Sequence, residues 1–448
     1  MPALNLSLRS RVLVLFTLTG LFFGSCNDDS PDTEIENIAE SDKPEIIVEI
    51  PEFSRDTVPL TLVSQSIELS TGEPFDLQLQ AGYRITPVVE GLRRPRFFAT
   101  APDGRFFLTS MHNLTDNRRG KVLILDHFNE ETNRFDTLHT WLGGLRNPNS
   151  IAFYTDTVGQ SWLYLAVTDS LVRYPYRPGE TAPSGPGKAI YRFPGEGFSY
   201  KYGGWHLTRS LVIHDDRIYV SVGSSCNLCE ESPEEPSRAA VLRMQPDGSG
   251  AEVFARGLRN AVDIGFVAGQ LYGTNMASDH HGSARPNDHF YRIEKGKHYG
   301  WPYCYEHEGT IAPEDPTQQS DNRRAGKLVK STWERRSITC DEVPHAYALF
   351  ESHGSPLGFE YFPETKDLPE LGGYFLAALH GMTRPKEEIP VGHKLVRFTR
   401  DHTPETFLTG FYQNGVQHGR PCDIHPRDER SFFLSDDHKG VVYLVERE

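Results

Sequence analysis

The chain has 448 residues and a formal net charge of −15 at pH 7. Because no basic stripe offsets this acidity, the composition argues against a nucleic acid as the partner. The length alone is compatible with two or three domains, and no long stretch shows the apolar periodicity of a helix.

The N-terminal segment predicts an export signal rather than part of the fold. Arg9 and Arg11 precede the apolar run of residues 12–23, which is too short to span a bilayer as a stable helix. The run ends in Gly24-Ser25-Cys26, which resembles a bacterial lipobox with Cys26 as the lipidated residue. An ordinary signal peptide followed by an incidental cysteine is the alternative. We therefore expect a signal peptide over residues 1–25 and a lipid anchor that holds the protein in the cell envelope, on the periplasmic or cell-surface face of a bacterial membrane.

Residues 26–60 predict an acidic tether. Asp and Glu are frequent here, and they face only Lys43 and Arg55. Such a composition cannot bury enough apolar surface to fold on its own. We expect this segment to separate the lipid anchor from the folded domain.

A layout that recurs six times predicts the fold of the remaining chain. Each copy begins with Gly, His or Arg in a small turn, continues with two apolar strands joined by a short turn, and adds a further strand. The six starts are residues 91–95, 144–148, 206–209, 257–260, 353–356 and 419–421, and the further strands are residues 121–125, 171–174, 241–244, 290–293, 394–398 and 441–445. Such units at a period of roughly 50 residues are typical of propeller blades. We predict an all-β fold, a six-bladed β-propeller over residues 75–448, whose ligand site is the central channel.

Five cysteines remain after Cys26, and export would allow them to form disulfides. Cys226 and Cys229 could form a redox motif or half of a zinc site. However, no second Cys-x-x-Cys completes a four-cysteine zinc site, and a thioredoxin-like site needs a strand-to-helix context. We prefer a local disulfide. Cys304 and Cys340 lie near the two ends of an insertion at residues 303–345 and are a plausible second pair, which leaves Cys422 as the odd thiol.

Basic side chains are expected to converge on the channel. His206 lies at the turn that leads into one blade, and Arg259-Asn260 occupies the equivalent turn of the next blade. Arg384 and Arg420 lie at corresponding inner positions further along the chain. Several cations in one funnel of an acidic protein suggest a polyanionic ligand. The alternative is that the arginines hold blades together through backbone carbonyls.

The succession of motifs resembles the soluble pyrroloquinoline quinone (PQQ)-dependent sugar dehydrogenases, specifically the L-sorbosone and aldose sugar dehydrogenase branch. The resemblance covers roughly residues 75–446, and its most specific part is Tyr299-Gly300-Trp301-Pro302-Tyr303-Cys304. The other matching stretches are residues 204–209, 221–227, 256–260, 353–358 and 419–421. The resemblance implies a six-bladed propeller that binds PQQ and calcium in its channel.

The resemblance also implies roles for individual residues. His206 would be the general base that takes the proton of a sugar hydroxyl while hydride moves to the quinone. Arg259 would stabilise charge at the quinone oxygen, with Asn260 beside it. Further contacts to the cofactor would come from Arg209, His353, Arg384 and Arg420. Among these, Arg384 and Arg420 would hold carboxylates and His353 would line the cofactor plane.

The calcium segment of the family corresponds to residues 275–288, which depart from the usual cluster of Asp residues. The resemblance implies calcium ligands at Asp279, Gly282 and Ser283, because calcium accepts both carboxylate and backbone carbonyl oxygens. His280-His281 could hint at a different metal, although tandem histidines more often belong to a polar loop.

The leading hypothesis is an exported PQQ-dependent oxidoreductase that oxidises a small sugar or a related alcohol or aldehyde and passes electrons to an external acceptor. No Cys-x-x-Cys-His occurs, so no c-type haem is built into the chain. A calcium-dependent lactonase-like hydrolase is one alternative. The other is a tethered, non-catalytic propeller that binds glycan or protein.

Overall fold

The computed structural model describes residues 58–194, 206–318, 322–324, 327–329, 338–382, 391–400 and 403–448, all of which lie in the compact unit Ile47–Glu448. The predicted signal peptide, Cys26, most of the tether and Arg384 lie outside these residues. Within them, no helix is long and apolar enough to cross a membrane.

The described chain is built almost entirely from antiparallel strands. Three strands come first: β1 (Leu62–Ile67), β2 (Phe75–Gln80) and β3 (Tyr83–Val89). The next twelve are β4 (Pro95–Thr100), β5 (Phe106–Ser110), β6 (Gly120–Asn129), β7 (Arg134–Leu145), β8 (Ser150–Thr155), β9 (Ser161–Val167), β10 (Ser170–Tyr176), β11 (Lys188–Arg192), β12 (Arg209–His214), β13 (Arg217–Val222), β14 (Ala240–Met244) and β15 (Glu252–Arg256).

The second half of the chain continues this pattern, with one long interruption. Its first strands are β16 (Ala261–Val267), β17 (Gln270–Asn275), β18 (Asp288–Ile293), β19 (Cys304–His307), β20 (Thr310–Pro313), β21 (Asn322–Arg324), β22 (Lys327–Val329) and β23 (Ala348–Phe350). The remaining strands are β24 (Pro356–Phe362), β25 (Tyr374–Leu379), β26 (Lys394–Phe398), β27 (Glu405–Thr409), β28 (Tyr412–Gln413), β29 (Val416–Gln417), β30 (Pro421–Pro426), β31 (Ser431–Asp436) and β32 (Val441–Arg447). Short 3₁₀ turns lie at Pro316–Gln318 and Cys340–Glu342.

Six sheets of four or more strands form the blades in the described part of the chain, which confirms the predicted six-bladed propeller. Blades 1 to 3 are β4–β7, β8–β11 and β12–β15, blade 4 is β16–β17–β18–β23, blade 5 is β24–β27, and blade 6 is β30–β31–β32–β3. The repeating sequence pattern predicts the first three strands of each blade but not the fourth. In blade 1 the fourth strand, β7, alternates between exposed and half-buried residues and carries only one buried side chain, so its apolar signal is weak.

Blade 6 takes strands from both ends of the chain. β3 pairs antiparallel with β32, with Ile85 opposite Val445, so that the N-terminal strand completes the C-terminal blade. This pairing removes an open edge that would otherwise be available for aggregation. The β1–β2 hairpin adds to blade 5 through Leu79, which pairs with Leu408. The ordered strands therefore begin at Leu62, before the predicted start of the propeller at residue 75.

The apolar core lies between neighbouring blades. One cluster joins blades 1 and 2, and another joins blades 4 and 5 around Phe290, which is fully buried. Buried hydroxyls add cross-blade hydrogen bonds near the inner strands: Thr109 donates to the carbonyl of Asn149 (2.6 Å) and Thr274 to that of Leu357 (2.7 Å). The blades are thus fixed to one another at the end where their leading turns meet.

The interruption in blade 4 lies between β18 and β23. It contains the β19–β20 hairpin, the β21–β22 pair and the two 3₁₀ turns. A disulfide joins Cys304 to Cys340, and a second disulfide joins Cys226 to Cys229. Both are the pairings expected from the sequence, and Cys422 is a buried free thiol.

Candidate functional site

Four blade-leading turns hold a non-glycine residue in the left-handed backbone region. Arg94 (φ 50°), Asn147 (φ 44°), His206 (φ 47°) and His353 (φ 62°) precede blades 1, 2, 3 and 5. Left-handed backbone costs of order 1–3 kcal/mol for such residues and tends to occur at functional sites. These four residues at the channel end of the propeller therefore adopt a backbone conformation that is unfavourable for residues other than glycine.

His206 and Asn260, which come from adjacent blades, meet across Gly223. A Cβ at Gly223 would lie 2.6 Å from both Asn260 Oδ1 and His206 Cβ, so no larger residue fits without moving one of them. The backbone N–H of Asn260 donates to Asn275 Oδ1 (3.0 Å), which fixes the turn before β16. The predicted base and the predicted amide neighbour are thus brought together.

The hydrogen bonds of His206 define its tautomer. Its Nδ1 lies 2.9 Å from the carbonyl oxygen of Ser224 and 3.0 Å from the Ser224 hydroxyl. That hydroxyl already donates its proton to the carbonyl of Cys226 (2.6 Å), so both atoms can only accept from the ring. Nδ1 must carry the proton, and Nε2 carries the lone pair that a general base needs.

The surroundings keep His206 neutral at physiological pH. Burial, followed by the positive charge of Arg259, lowers the pKa of His206 to about 3. The carboxylate of Asp279 acts in the opposite direction. The ring is therefore in the neutral form that a base requires, but a pKa this low makes it a weak base, and an anionic group bound nearby would have to raise that pKa for efficient proton transfer.

Arg259 is held rigidly beside this ring. Its Nε donates to the carbonyl of Asn227 (3.0 Å), and its Nη2 donates to Asn227 Oδ1 (2.7 Å) and to Asp279 Oδ2 (3.1 Å). The Asn227 carbonyl also accepts from Trp301 Nε1 (3.0 Å). Asn227 lies between Cys226 and Cys229, so their disulfide shapes the loop that positions Arg259. The sequence analysis did not assign this role to Asn227; its position between two paired cysteines was the available signal.

Asp279, Gly282 and His353 form a second contact group next to Arg259. His353 places Nδ1 3.4 Å from Asp279 Oδ1 and donates from Nε2 to the Gly282 carbonyl (2.6 Å). The bond to Asp279 raises the pKa of His353 to about 8. Burial would raise the pKa of Asp279, but Arg259 and His353 outweigh it and hold that pKa at about 2.

This arrangement does not fit the predicted calcium site. The two carboxylate oxygens of Asp279 contact Arg259 and His353, and the Gly282 carbonyl contacts His353. Ser283 is exposed. Calcium requires oxygen ligands that face the ion, so these residues in this arrangement do not fit a calcium ion.

A further basic cluster lies at the turns of blades 1 and 6. Asp437 contacts Arg96 Nη1 (2.9 Å), Arg94 Nη1 (3.2 Å) and His380 Nε2 (2.7 Å). Arg420 donates from Nε to the His380 carbonyl (3.1 Å), and burial lowers its pKa to about 10. Two guanidinium groups thus contact one carboxylate, and the guanidinium of Arg420 lies nearby, bonded to backbone carbonyls. Of this cluster, the sequence analysis named Arg420 only.

Arg209 acts on the backbone. Its Nη1 donates to the carbonyls of His206 (2.6 Å) and Thr208 (2.7 Å), and its Nη2 donates to that of Pro194 (3.2 Å). These contacts match the alternative in which an arginine holds blades through carbonyls. Arg209 therefore stabilises the turn that carries His206.

The model of the TrAA12-like family matches residues 77–448. The chain belongs to this family. The match spans the propeller, so the sequence-based assignment to the soluble PQQ-dependent sugar dehydrogenases is confirmed at the family level. No curated protein matches the chain.

Solved structures share the fold of this TrAA12-like protein at low identity. The holo form of the pyranose dehydrogenase PQQ domain from Coprinopsis cinerea is 17% identical with a TM-score of 0.62, covering 83% of this chain and 97% of that one. The calcium structure of Trichoderma reesei carbohydrate-active enzymes family AA12 is 16% identical with a TM-score of 0.62, covering 88% and 99%. The PQQ-bound aldose sugar dehydrogenase from Streptomyces coelicolor is 16% identical with a TM-score of 0.53, covering 82% and 99%. At these identities the likeness shows the fold.

Proposed function

We propose that the protein is a PQQ-dependent oxidoreductase that oxidises a small sugar, or a related alcohol or aldehyde, with His206 as the general base. The observation that carries the proposal is the neutral His206 ring, whose protonated Nδ1 leaves the lone pair on Nε2, held against Asn260 and next to Arg259. Membership of the TrAA12-like family supports the same activity.

The residues at the blade-leading turns fit an anionic quinone cofactor. PQQ carries three carboxylates and, when bound, supplies the hydride acceptor. Arg94 and Arg96 both contact Asp437, two positive charges against one negative charge, so an anion would be stabilised there. Arg384, which lies outside the described residues, is proposed to add a further contact.

The chain's own residues then perform the proton chemistry. His206 accepts the proton of the substrate hydroxyl at Nε2, while its Nδ1–H remains bonded to Ser224. Asp279 favours the resulting imidazolium and Arg259 disfavours it. Arg259 is kept in place by Asn227, so it can stabilise negative charge without rearranging.

Reconstitution tests the proposed activity. The purified protein is mixed with PQQ, with and without calcium, and a panel of aldoses is scanned for reduction of an artificial electron acceptor. We expect sugar-dependent reduction that requires PQQ. Failure to bind PQQ under either condition would contradict the proposal and favour the non-catalytic propeller.

A hydrolase receives no comparable support from the geometry. A calcium-dependent lactonase-like enzyme needs acidic metal ligands from several blades that face the axis. Among the described turns, Asp279 and Asp437 are instead bonded to arginines.

We further propose that the enzyme is exported, anchored through a lipid on Cys26, and served by an external electron acceptor. The support is the arginine-flanked apolar run that ends in Gly24-Ser25-Cys26. Replacing Cys26→Ser should move the protein from the membrane fraction to the soluble or unprocessed fraction. Unchanged fractionation and N-terminal mass would contradict the anchor.

A further inference from the structure

We propose that His280, His281 and Glu314 form a binding site for a divalent first-row transition metal ion, with Zn²⁺ as the best-suited representative. The site would join the loop that carries Asp279 to the β19–β20 hairpin of the insertion. It lies outside the residues assigned to the cofactor and the substrate, and it does not depend on the proposed oxidoreductase activity.

The three side chains converge on one point. His280 Nε2 and His281 Nε2 lie 3.0 Å and 2.7 Å from the same oxygen, Glu314 Oε2. The ligand atoms of all three residues lie within 4.8 Å of one another. Around a tetrahedral ion with bonds of about 2.0–2.1 Å, two ligand atoms are roughly 3.3 Å apart. Around an ion the two histidine–carboxylate distances would therefore lengthen by about 0.3–0.6 Å.

The carboxylate is fixed in the orientation that such a site requires. The Ser278 hydroxyl donates to Glu314 Oε1 (3.0 Å), which leaves Oε2 to face the two imidazoles. The backbone N–H of Glu314 donates to the Tyr303 carbonyl (2.8 Å), which anchors the end of the hairpin. Outer hydrogen bonds of this kind orient the ligands of natural metal sites.

The low exposure of the three side chains distinguishes this cluster from a polar surface loop. The Glu314 side chain is 1% exposed, and those of His280 and His281 are 13% and 17% exposed. Nδ1 of His280 is buried and makes no hydrogen bond among the described residues, so Nε2 is the ring nitrogen that its surroundings engage. In these contacts Glu314 Oε2 can only accept, so Nε2 of each ring carries the proton and donates it. An ion that binds the two Nε2 atoms would displace these protons to Nδ1 or to solvent.

The ligand chemistry selects the class of metal. Two imidazoles and one carboxylate suit zinc and its first-row neighbours, whereas calcium and magnesium prefer all-oxygen sites. Three protein ligands leave a position for water or a fourth ligand. The bound ion would hold the loop of Asp279 against the base of the insertion, where Cys304, which pairs with Pro313 next to Glu314, is joined to Cys340 by a disulfide.

Metal binding to the purified full-length protein, without a histidine tag and without PQQ, tests the inference. Chelator-treated protein is titrated with Zn²⁺ by calorimetry, and metal content is measured after dialysis. We expect one ion per chain, undisturbed by excess Ca²⁺, and a rise in Tm of a few degrees at saturating Zn²⁺. Replacing His281→Gln or Glu314→Gln should weaken binding roughly tenfold or more.

The matched control is His345→Gln. His345 also bonds a carboxylate, Glu306 (2.7 Å), but in a pair with a single histidine, so its loss should leave the Zn²⁺ affinity unchanged. His280→Gln serves as an independent variant, and circular dichroism checks that each variant is folded. Absence of a stoichiometric ion in the wild type, or equal binding in all folded variants, would overturn the inference.

Discussion

Individual residues in the channel are defined by contacts with distant parts of the chain. His206 could be placed at a blade-leading turn from sequence, because the turn and the strand after it are local. Its tautomer could not, because it depends on the proton of Ser224 being used by the Cys226 carbonyl. Arg259 was likewise identified, whereas its partner Asn227 lies thirty-two positions away in another loop. The residue type and its position in a turn can be predicted from the local sequence. The hydrogen-bond network cannot, because its members come together only when the blades assemble into the ring.

The pKa of His206 predicts a pH dependence of stability with a definite sign. Burial and Arg259 lower the pKa of the folded state to about 3, below the unfolded value near 6.5. The contribution of the neutral ring is therefore complete above pH 6.5 and is lost as the pH falls toward 3. His206→Gln removes this loss, so between pH 6.5 and 4.5 the variant should lose less unfolding free energy than the wild type. Urea unfolding at both pH values measures the difference, and a variant that loses as much as the wild type would show that folding does not lower the pKa of His206.

The contact across Gly223 predicts the effect of adding one methyl group. Gly223→Ala would bring Cβ to 2.6 Å from Asn260 Oδ1 and His206 Cβ. We expect a folded protein whose free energy of unfolding falls by about 1–3 kcal/mol, the usual cost of overpacking. Sugar oxidation by the folded protein should also fall, because His206 and Asn260 are displaced. Gly143→Ala is the control, because its Cβ would meet no atom within 4 Å. Equal activities of the two variants would contradict the proposed packing of base and amide.

At the scale of elements, the strands most visible in the sequence are those buried on both faces. β13 and β32 carry runs of buried residues and were found from their apolar pattern. β7 was missed because it lies at the outer edge of its blade and alternates in exposure. β3 was missed for a different reason: its partner, β32, lies at the other end of the chain. Long-range pairing of this kind leaves no local repeat.

The pairing of β3 with β32 predicts how substitutions in β3 change stability. Ile85 of β3 is 5% exposed, and its neighbour Arg84 pairs with Glu446 at the surface. Ile85→Ala should lower the free energy of unfolding by roughly 2–5 kcal/mol, because it removes buried methyl groups and leaves a cavity. Arg84→Ala should cost at most about 1 kcal/mol, since exposed ion pairs contribute little. Chemical denaturation compares the two, and equal losses would show that β3 does not seal the ring.

At the scale of the whole molecule, six blades bring sequence-distant turns to one end of the channel. His206, Arg259, His353 and Arg420 belong to the recurring motifs, and this made them accessible from sequence. Arg94 lies in the first of these motifs but was not singled out. The calcium prediction depended on Asp279, Gly282 and Ser283 facing an ion. The ring instead places His353 from another blade against the first two. The sequence of a loop shows which possible metal ligands it contains. Which groups those ligands contact depends on side chains of the neighbouring blade, here His353.

The most direct test of the proposed activity measures, in one experiment, whether hydride transfer limits quinone reduction and whether His206 is needed for it. PQQ-loaded protein is mixed rapidly with a sugar that it oxidises, either unlabelled or carrying deuterium at the reacting carbon, and loss of the quinone absorbance is followed. For the wild type we predict slower reduction with deuterium. For His206→Gln we predict a rate lower by roughly a hundredfold or more with nearly unchanged PQQ affinity, the scale expected for a lost acid–base group; His214→Gln, at the opposite end of β12, should behave as the wild type. Quinone reduction that is insensitive to deuterium, or equally fast in His206→Gln, would contradict the assignment of His206 as the base of sugar oxidation.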